Sequence, residues 1–206
     1  MPKEETINAL THGLGALLSL GGLVVLVVMA SLRGNAWHIV SCSIYGATLV
    51  LMFAGSTLYH SCPSPRLKHI FRIIDHAAIF LLIAGTYTPF VLVTLRGSWG
   101  WSLFGVIWGL ALAGIVFQVF FVGRFRVLQT LIYLLMGWLV VVAGKPLLAR
   151  LPLPGLLWLL AGGLCYTVGA LFYLWKKLPW HHAAWHLFVL AGGACHYFAI
   201  LFYVLP

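Results

Sequence analysis

Long apolar runs, interrupted at near-regular intervals by short clusters of charge, proline and glycine, set the pattern of the chain. Seven apolar segments emerge, at approximately 8–31, 37–60, 71–95, 100–122, 127–149, 153–175 and 182–205. Each holds the roughly 20 residues a helix needs to cross a bilayer, and a helix satisfies internally the backbone hydrogen bonds that lipid cannot. The interruptions are Arg33-Gly34-Asn35, Ser61 to Ile70 with Pro63 and Pro65, Arg96 to Trp99, Gly123 to Arg126, Arg150 to Pro152 and Lys176 to Trp180. All are too short to be domains. Residues 1–206 therefore read as one all-α polytopic membrane domain, a seven-transmembrane helix bundle. No internal repeat is evident, and an odd span count disfavours a duplicated inverted repeat. Ala161-Gly162-Gly163 and Ala191-Gly192-Gly193-Ala194 are small-residue clusters that suit close helix packing in lipid.

Composition supports this pattern: 63% of residues are hydrophobic and 7% charged, where a soluble domain carries about a quarter charged. The net charge of +9 does not point to nucleic acid, because the 12 Lys and Arg are scattered in short loops and form no stripe. Basic loops read instead as topology signals and contacts to anionic lipid. With seven spans, Lys3, Arg66, Lys68, Arg72, Arg124, Arg126, Lys176 and Lys177 fall on one side, and Arg33, Arg96, Lys145 and Arg150 on the other. The richer side is expected to be cytoplasmic, with the N-terminus inside and the C-terminus outside. Cys42, Cys62, Cys165 and Cys195 form no CxxC and no regular spacing, so neither a disulfide framework nor a thiolate metal cage is expected. Glu4 and Glu5 beside Lys3, without a small-residue cleavage pattern after the first apolar run, argue that the first span is retained.

Only three acids occur, and Asp75 alone is embedded in an apolar segment. A buried carboxylate in a membrane is costly and marks a functional position by default. The alternative is that it sits near its helix start, pairing with Arg72 or facing interfacial water. His182 and His186 are i and i+4 on the last span, about 6 Å apart along the axis. Two such imidazoles can share a metal ion and leave room for a third ligand; alone, HxxxH equally describes histidines wetting a helix start. What separates the readings is convergence. His60 ends the second span, Asp75 begins the third, His182 and His186 begin the seventh, and parity brings all four to one side. Three histidines plus water is the pattern of an open, catalytic zinc centre, with Asp75 binding or orienting the water. Ser56, one turn before His60, can hydrogen-bond the same cluster or its own helix carbonyl.

Glu5, Asn8 and His12 lie at i, i+3 and i+7 on one face of the first helix, on the same side. They can support or cap the site, or simply provide interfacial polarity near a helix N-terminus. His196, deep in the last span, reads as a hydrogen-bonded bundle residue, and His38 lies on the opposite side. His69, His76 and His181 read as interfacial, with His181 adjacent to His182 and able to compete as a ligand.

Taken together, Glu5-x2-Asn8-x3-His12, Ser56-Thr57-Leu58-Tyr59-His60, IDHAAIFLLIAGTYTPF at 74–90 and HAAWHLFVLAGGACHYFAI at 182–200 resemble the hemolysin III family, the bacterial branch of the progestin and adipoQ receptor family. The order and spacing run through nearly the whole chain. The resemblance implies seven helices and membership of a superfamily that includes alkaline ceramidases. It implies zinc held by His60, His182 and His186, with Asp75 near a zinc-bound water and Ser56 beside it. It further implies an integral membrane protein of the bacterial inner membrane and a link to membrane homeostasis. The long N-terminal cytosolic region of the receptors has no counterpart here, so a hormone-receptor role is not expected.

The leading functional expectation is a zinc-dependent hydrolase acting on a membrane lipid, at an amide bond such as that of ceramide or another N-acyl lipid. The alternative is a non-enzymatic membrane-homeostasis regulator or receptor-like protein in which zinc only staples helices together. An ion or proton transporter is a weaker third reading, because no polar path continues to the far side except at His196.

Overall fold

The computed structural model describes residues 3–206. Seven helices are long and apolar enough to cross a membrane: α1 (Lys3–Arg33), α2 (Ala36–Ser61), α3 (Pro65–Thr94), α4 (Ser98–Phe121), α5 (Arg126–Arg150), α6 (Leu153–Leu174) and α7 (His181–Tyr203). No strand occurs among the described residues. The chain is an integral, multi-pass membrane bundle in which α2 and α3 are the most enclosed helices, while α1, α4, α5 and α6 turn most of their surface outward. Helix α1 packs on α2, α2 on α3, α3 on α4 and α6 on α7, and α7 returns to α1. That last contact brings the two ends of the sequence together. Tyr45, Phe80, Leu26, Ile107 and Ile200 fill the centre.

Two helix starts lie earlier than the apolar pattern indicates. Helix α1 begins at Lys3 rather than near residue 8, which puts Glu4 and Glu5 in its first turn. Helix α3 begins at Pro65 rather than near residue 71, and only residues 62–64 separate it from α2. Proline suits a first helical turn because its missing N–H would have had no partner there. The polar run from Arg66 to Ile70 is thus a helical extension and not a loop.

His38, on the far side, has a local role. Its Nδ1 accepts the Asn35 backbone N–H at 3.2 Å, while Asn35 Oδ1 accepts the Trp37 N–H at 2.9 Å, capping α2. The predicted small-residue clusters sit at close helix contacts. The His196 ring lies against Gly162 and the Tyr166 ring against Gly192, so any added β-carbon at either glycine meets a ring.

Helices α3 and α5 are irregular for identifiable reasons. Pro89 cannot donate to the ladder, and α3 continues past it as a π turn over Phe90–Thr94, closed by Leu95 N–H to the Phe90 carbonyl at 2.7 Å. In α5 the Tyr87 hydroxyl inserts into the ladder. It lies 2.9 Å and 2.8 Å from the Met136 and Gly137 carbonyls and accepts the Val140 N–H at 2.7 Å. An inserted group of this kind interrupts a helix, and the next turn, Leu139–Ala143, tightens to a 3-10 form. Tyr87, Gly137 and Val140 all line the bundle's apolar cavity, so the distortion shapes its wall.

Candidate metal centre

The first turns of α1 and α7, the last turn of α2 and an inner turn of α3 meet at one end of the bundle. His60 on α2 is buried at 2% exposure and His186 on α7 at 1%, with His182 one turn away toward the polar end. One ligand atom from each of these histidines lies within 4.8 Å of the others. His60 Nε2 and His182 Nε2 are 3.2 Å apart, close to the tetrahedral edge of about 3.3 Å that metal–nitrogen bonds of ~2.0–2.1 Å imply. Without a metal ion the contact is an N–H···N hydrogen bond, His182 Nε2 donating to His60 Nε2; with the His182 proton on Nδ1 instead, both lone pairs are free to share one cation.

The neighbours settle which nitrogens are free. Glu5 Oε2 lies 2.9 Å from His60 Nδ1, so that nitrogen carries the proton and Nε2 keeps its lone pair. The Asn8 carbonyl lies 3.3 Å from His186 Nδ1, with Thr11 Oγ1 at 3.5 Å, which likewise leaves His186 Nε2 free. A carboxylate or carbonyl behind each ring is how metal-binding histidines are usually oriented. Glu5 also accepts from Lys68 Nζ at 3.2 Å, and Glu4 Oε1 accepts the His182 backbone N–H at 3.3 Å. The donor set and its supports fit a metal ion with an open coordination position.

Asp75 is buried, but the predicted alternative of an Arg72 pair is not what the structure shows. Its Oδ2 lies 3.4 Å from His76 Nδ1. His76 corrects the expectation of an interfacial residue: it is buried, with Nδ1 2.9 Å from the Arg72 carbonyl, and Tyr133 on α5 donates to its backbone carbonyl at 3.0 Å. The cause is the early start of α3, which places residue 76 about three turns inside the helix. Ser56 makes neither of its expected bonds. Its hydroxyl is buried without a partner and lines the cavity next to the histidines.

Asn8 supports His186 through its backbone carbonyl, while its side-chain oxygen is buried and unpartnered. His12 stacks flat on His186, ring centres 3.5 Å apart and planes within 6°, and neither of its nitrogens has a partner. That contact was not readable from spacing alone. His181 lies outside the three-histidine cluster. His196 Nε2 donates to the Leu159 carbonyl on α6 at 3.2 Å, the bundle role expected of it. Cys42, Cys62, Cys165 and Cys195 are free thiols.

Two cavities meet at the histidines. An apolar one of about 470 Å³ runs inward from His12, Ser56 and Asp75 past Ile83 and Leu147 to His196. A polar one of about 560 Å³ is bounded by Glu4, Glu5, His60, Arg72 and Arg126. Both are lined by His76, Tyr173 and His182, which form the junction.

Comparison with known proteins matches the chain to a family. The family described as "Haemolysin-III related" covers residues 2–197. Hemolysin-3 of Bacillus cereus is 54% identical over 204 residues, spanning 99% of this chain and 93% of the relative. The Hemolysin-3 homolog of Bacillus subtilis (strain 168) is 53% identical over 187 residues, 91% of this chain and 88% of the relative. The human Monocyte to macrophage differentiation factor is 28% identical over 195 residues, 90% of this chain and 78% of the relative. With six of the seven spans and most of the last inside the matched region, the chain belongs to the haemolysin III family.

Proposed function

We propose that this protein is a zinc-dependent hydrolase that cleaves an amide bond of a membrane lipid, with its site on the cytoplasmic side of the bacterial inner membrane. The observation that carries this reading is that His182 and His186 of the three-histidine cluster line an apolar cavity in the bundle together with Asp75. His60, His182 and His186 would hold the ion. A zinc ion in such a site polarises a carbonyl and lowers the pKa of a water.

The rest of the chemistry falls to the chain. The apolar cavity takes the acyl chain and keeps bulk water away. Asp75, the sole carboxylate lining that cavity, accepts the proton of the attacking water and returns it to the leaving amine, so amide and water become carboxylic acid and amine. The unpartnered Ser56 hydroxyl and the His12 ring offer hydrogen bonds to the substrate carbonyl.

A second reading has an observation of its own. The 3.2 Å approach of His60 and His182 joins α2 to α7, so a metal there would also staple the bundle. Chelation separates the two. For the hydrolase, metal removal abolishes fatty-acid release from ceramides and N-acyl lipids, zinc restores it, and the melting temperature shifts only modestly. For the staple, no release occurs at any metal content and the melting temperature falls steeply on chelation.

The side of the membrane rests on the eight-to-four distribution of loop cations. A reporter active only in the cytoplasm is expected to work when fused to the N-terminus and not to the C-terminus. The reverse result would place the site on the outer face.

A further inference from the structure

We infer that the polar chamber is a receptor for a phosphate-bearing lipid headgroup, so that the substrate of this site is an anionic N-acyl lipid. The inference rests on the hydrolase reading for its substrate, and on charge and shape for its headgroup. Arg72, Arg126 and Lys176 all line the chamber. The chain has three acidic side chains, and each is already engaged. Glu4 caps the His182 N–H, Glu5 bonds His60 and Lys68, and Asp75 contacts His76. No carboxylate pairs with Arg72, Arg126 or Lys176 among the described residues. Glu4 and Glu5 also line the chamber, but Glu5 is committed to His60 and Lys68 and Glu4 to the His182 N–H, so the three cations keep an excess of positive charge that favours an outside anion.

The two arginines are held inward. Arg72 has its Nε buried without a partner, and its guanidinium packs on Gly123 so closely that a β-carbon there would sit 2.7 Å from it. Gly123 has φ +78°, a conformation that favours glycine, so the α4–α5 turn reserves this space. Arg126 lies 5.1 Å above the Tyr173 ring, at the junction of the two cavities. By contrast, Arg66, Arg124 and Lys177 on the same side are exposed and line neither space. Guanidinium forks match phosphate oxygens bidentately.

Shape identifies the anion's carrier as a lipid. The chamber and the apolar cavity share His76, Tyr173 and His182, so one amphiphile fills both. Its tail lies in the bundle, its amide at the histidines and its phosphate among the arginines. Free phosphate would use only half of this surface.

The test compares ceramide phosphate with ceramide of the same acyl chain. Both are measured for equilibrium binding to zinc-loaded protein in phosphatidylcholine nanodiscs, using Asp75→Asn to prevent turnover. The phosphorylated lipid is expected to bind at least about tenfold more tightly, the value of one or two charge-assisted hydrogen bonds. Arg126→Gln with Lys176→Gln should bring the two lipids toward parity. Lys176→Gln alone, at an exposed position that does not threaten folding, should reduce the preference by about two- to fivefold. The outward pair Arg66→Gln with Lys177→Gln should leave it intact.

Equal affinity for the two lipids overturns the inference, as does a preference that survives in the inward variants or disappears in the outward pair. Displacement of the lipid by millimolar inorganic phosphate would show a site for the soluble anion and would likewise overturn the lipid assignment. Fatty-acid release by the zinc-loaded wild type is scored separately. A headgroup preference without any release sinks the hydrolase reading and leaves the headgroup site standing.

Discussion

Asp75→Asn is expected to keep the metal and the fold while lowering lipid-amide hydrolysis by roughly a hundredfold or more, the usual loss on removing a general base. Asn has nearly the same shape and preserves a polar contact to His76 at the Asp75 position, but it cannot accept a proton. The buried carboxylate lines the same cavity as His12, Ser56 and His186, so its loss acts where the proposed reaction would place the substrate amide. A purely structural Asp75 gives a different pattern. The same substitution would then cost about 1.5–3 kcal/mol of stability, the value of one charge-assisted hydrogen bond, with no separate effect on turnover. Rate, zinc content and melting temperature measured on one preparation distinguish the two.

The second large effect is on the metal itself. Replacing His60, His182 or His186 by Ala should remove most of the bound zinc, because three protein ligands are already the minimum for an open site. Glu5→Gln should weaken zinc binding by about ten- to a hundredfold, since the carboxylate 2.9 Å behind His60 orients that ring and raises its basicity. His196→Ala should leave zinc unchanged, its ring being engaged with the Leu159 carbonyl. Metal content after gel filtration against a defined free-zinc buffer checks all five variants. Full occupancy in His182→Ala would transfer the ligand role to His181 or His12.

The spans were legible because a bilayer leaves the chain few options: each crossing needs its own run of apolar residues. Parity then brought His60, Asp75, His182 and His186 to one end before any tertiary contact was known, and the cluster forms where parity placed it. Helix spacing also found Glu5, whose hydrogen bond to His60 links residues 55 positions apart.

What stayed hidden depends on packing between distant segments. His76 looked interfacial because hydrophobicity marks where a helix becomes apolar, not where it begins, and α3 starts at Pro65. The flat stacking of His12 on His186 requires the specific approach of α1 to α7. Nothing in local sequence foretold the Tyr87 hydroxyl entering the α5 ladder. The partnerless Ser56 hydroxyl is a property of the cavity beside it and not of its helix. The inward turn of Arg72 and Arg126 is hidden in the same way, since loop cations that set topology and cations that line a chamber look alike in a sequence.

The most direct test is a zinc titration of the metal-free 206-residue chain, with bound metal and fatty-acid release from a panel of ceramides and N-acyl lipids followed in the same sample. Release is expected to rise in proportion to bound zinc and to saturate at about one ion per chain, the capacity of one three-histidine site. Protein that carries one zinc per chain and releases no fatty acid from any lipid of the panel would contradict it.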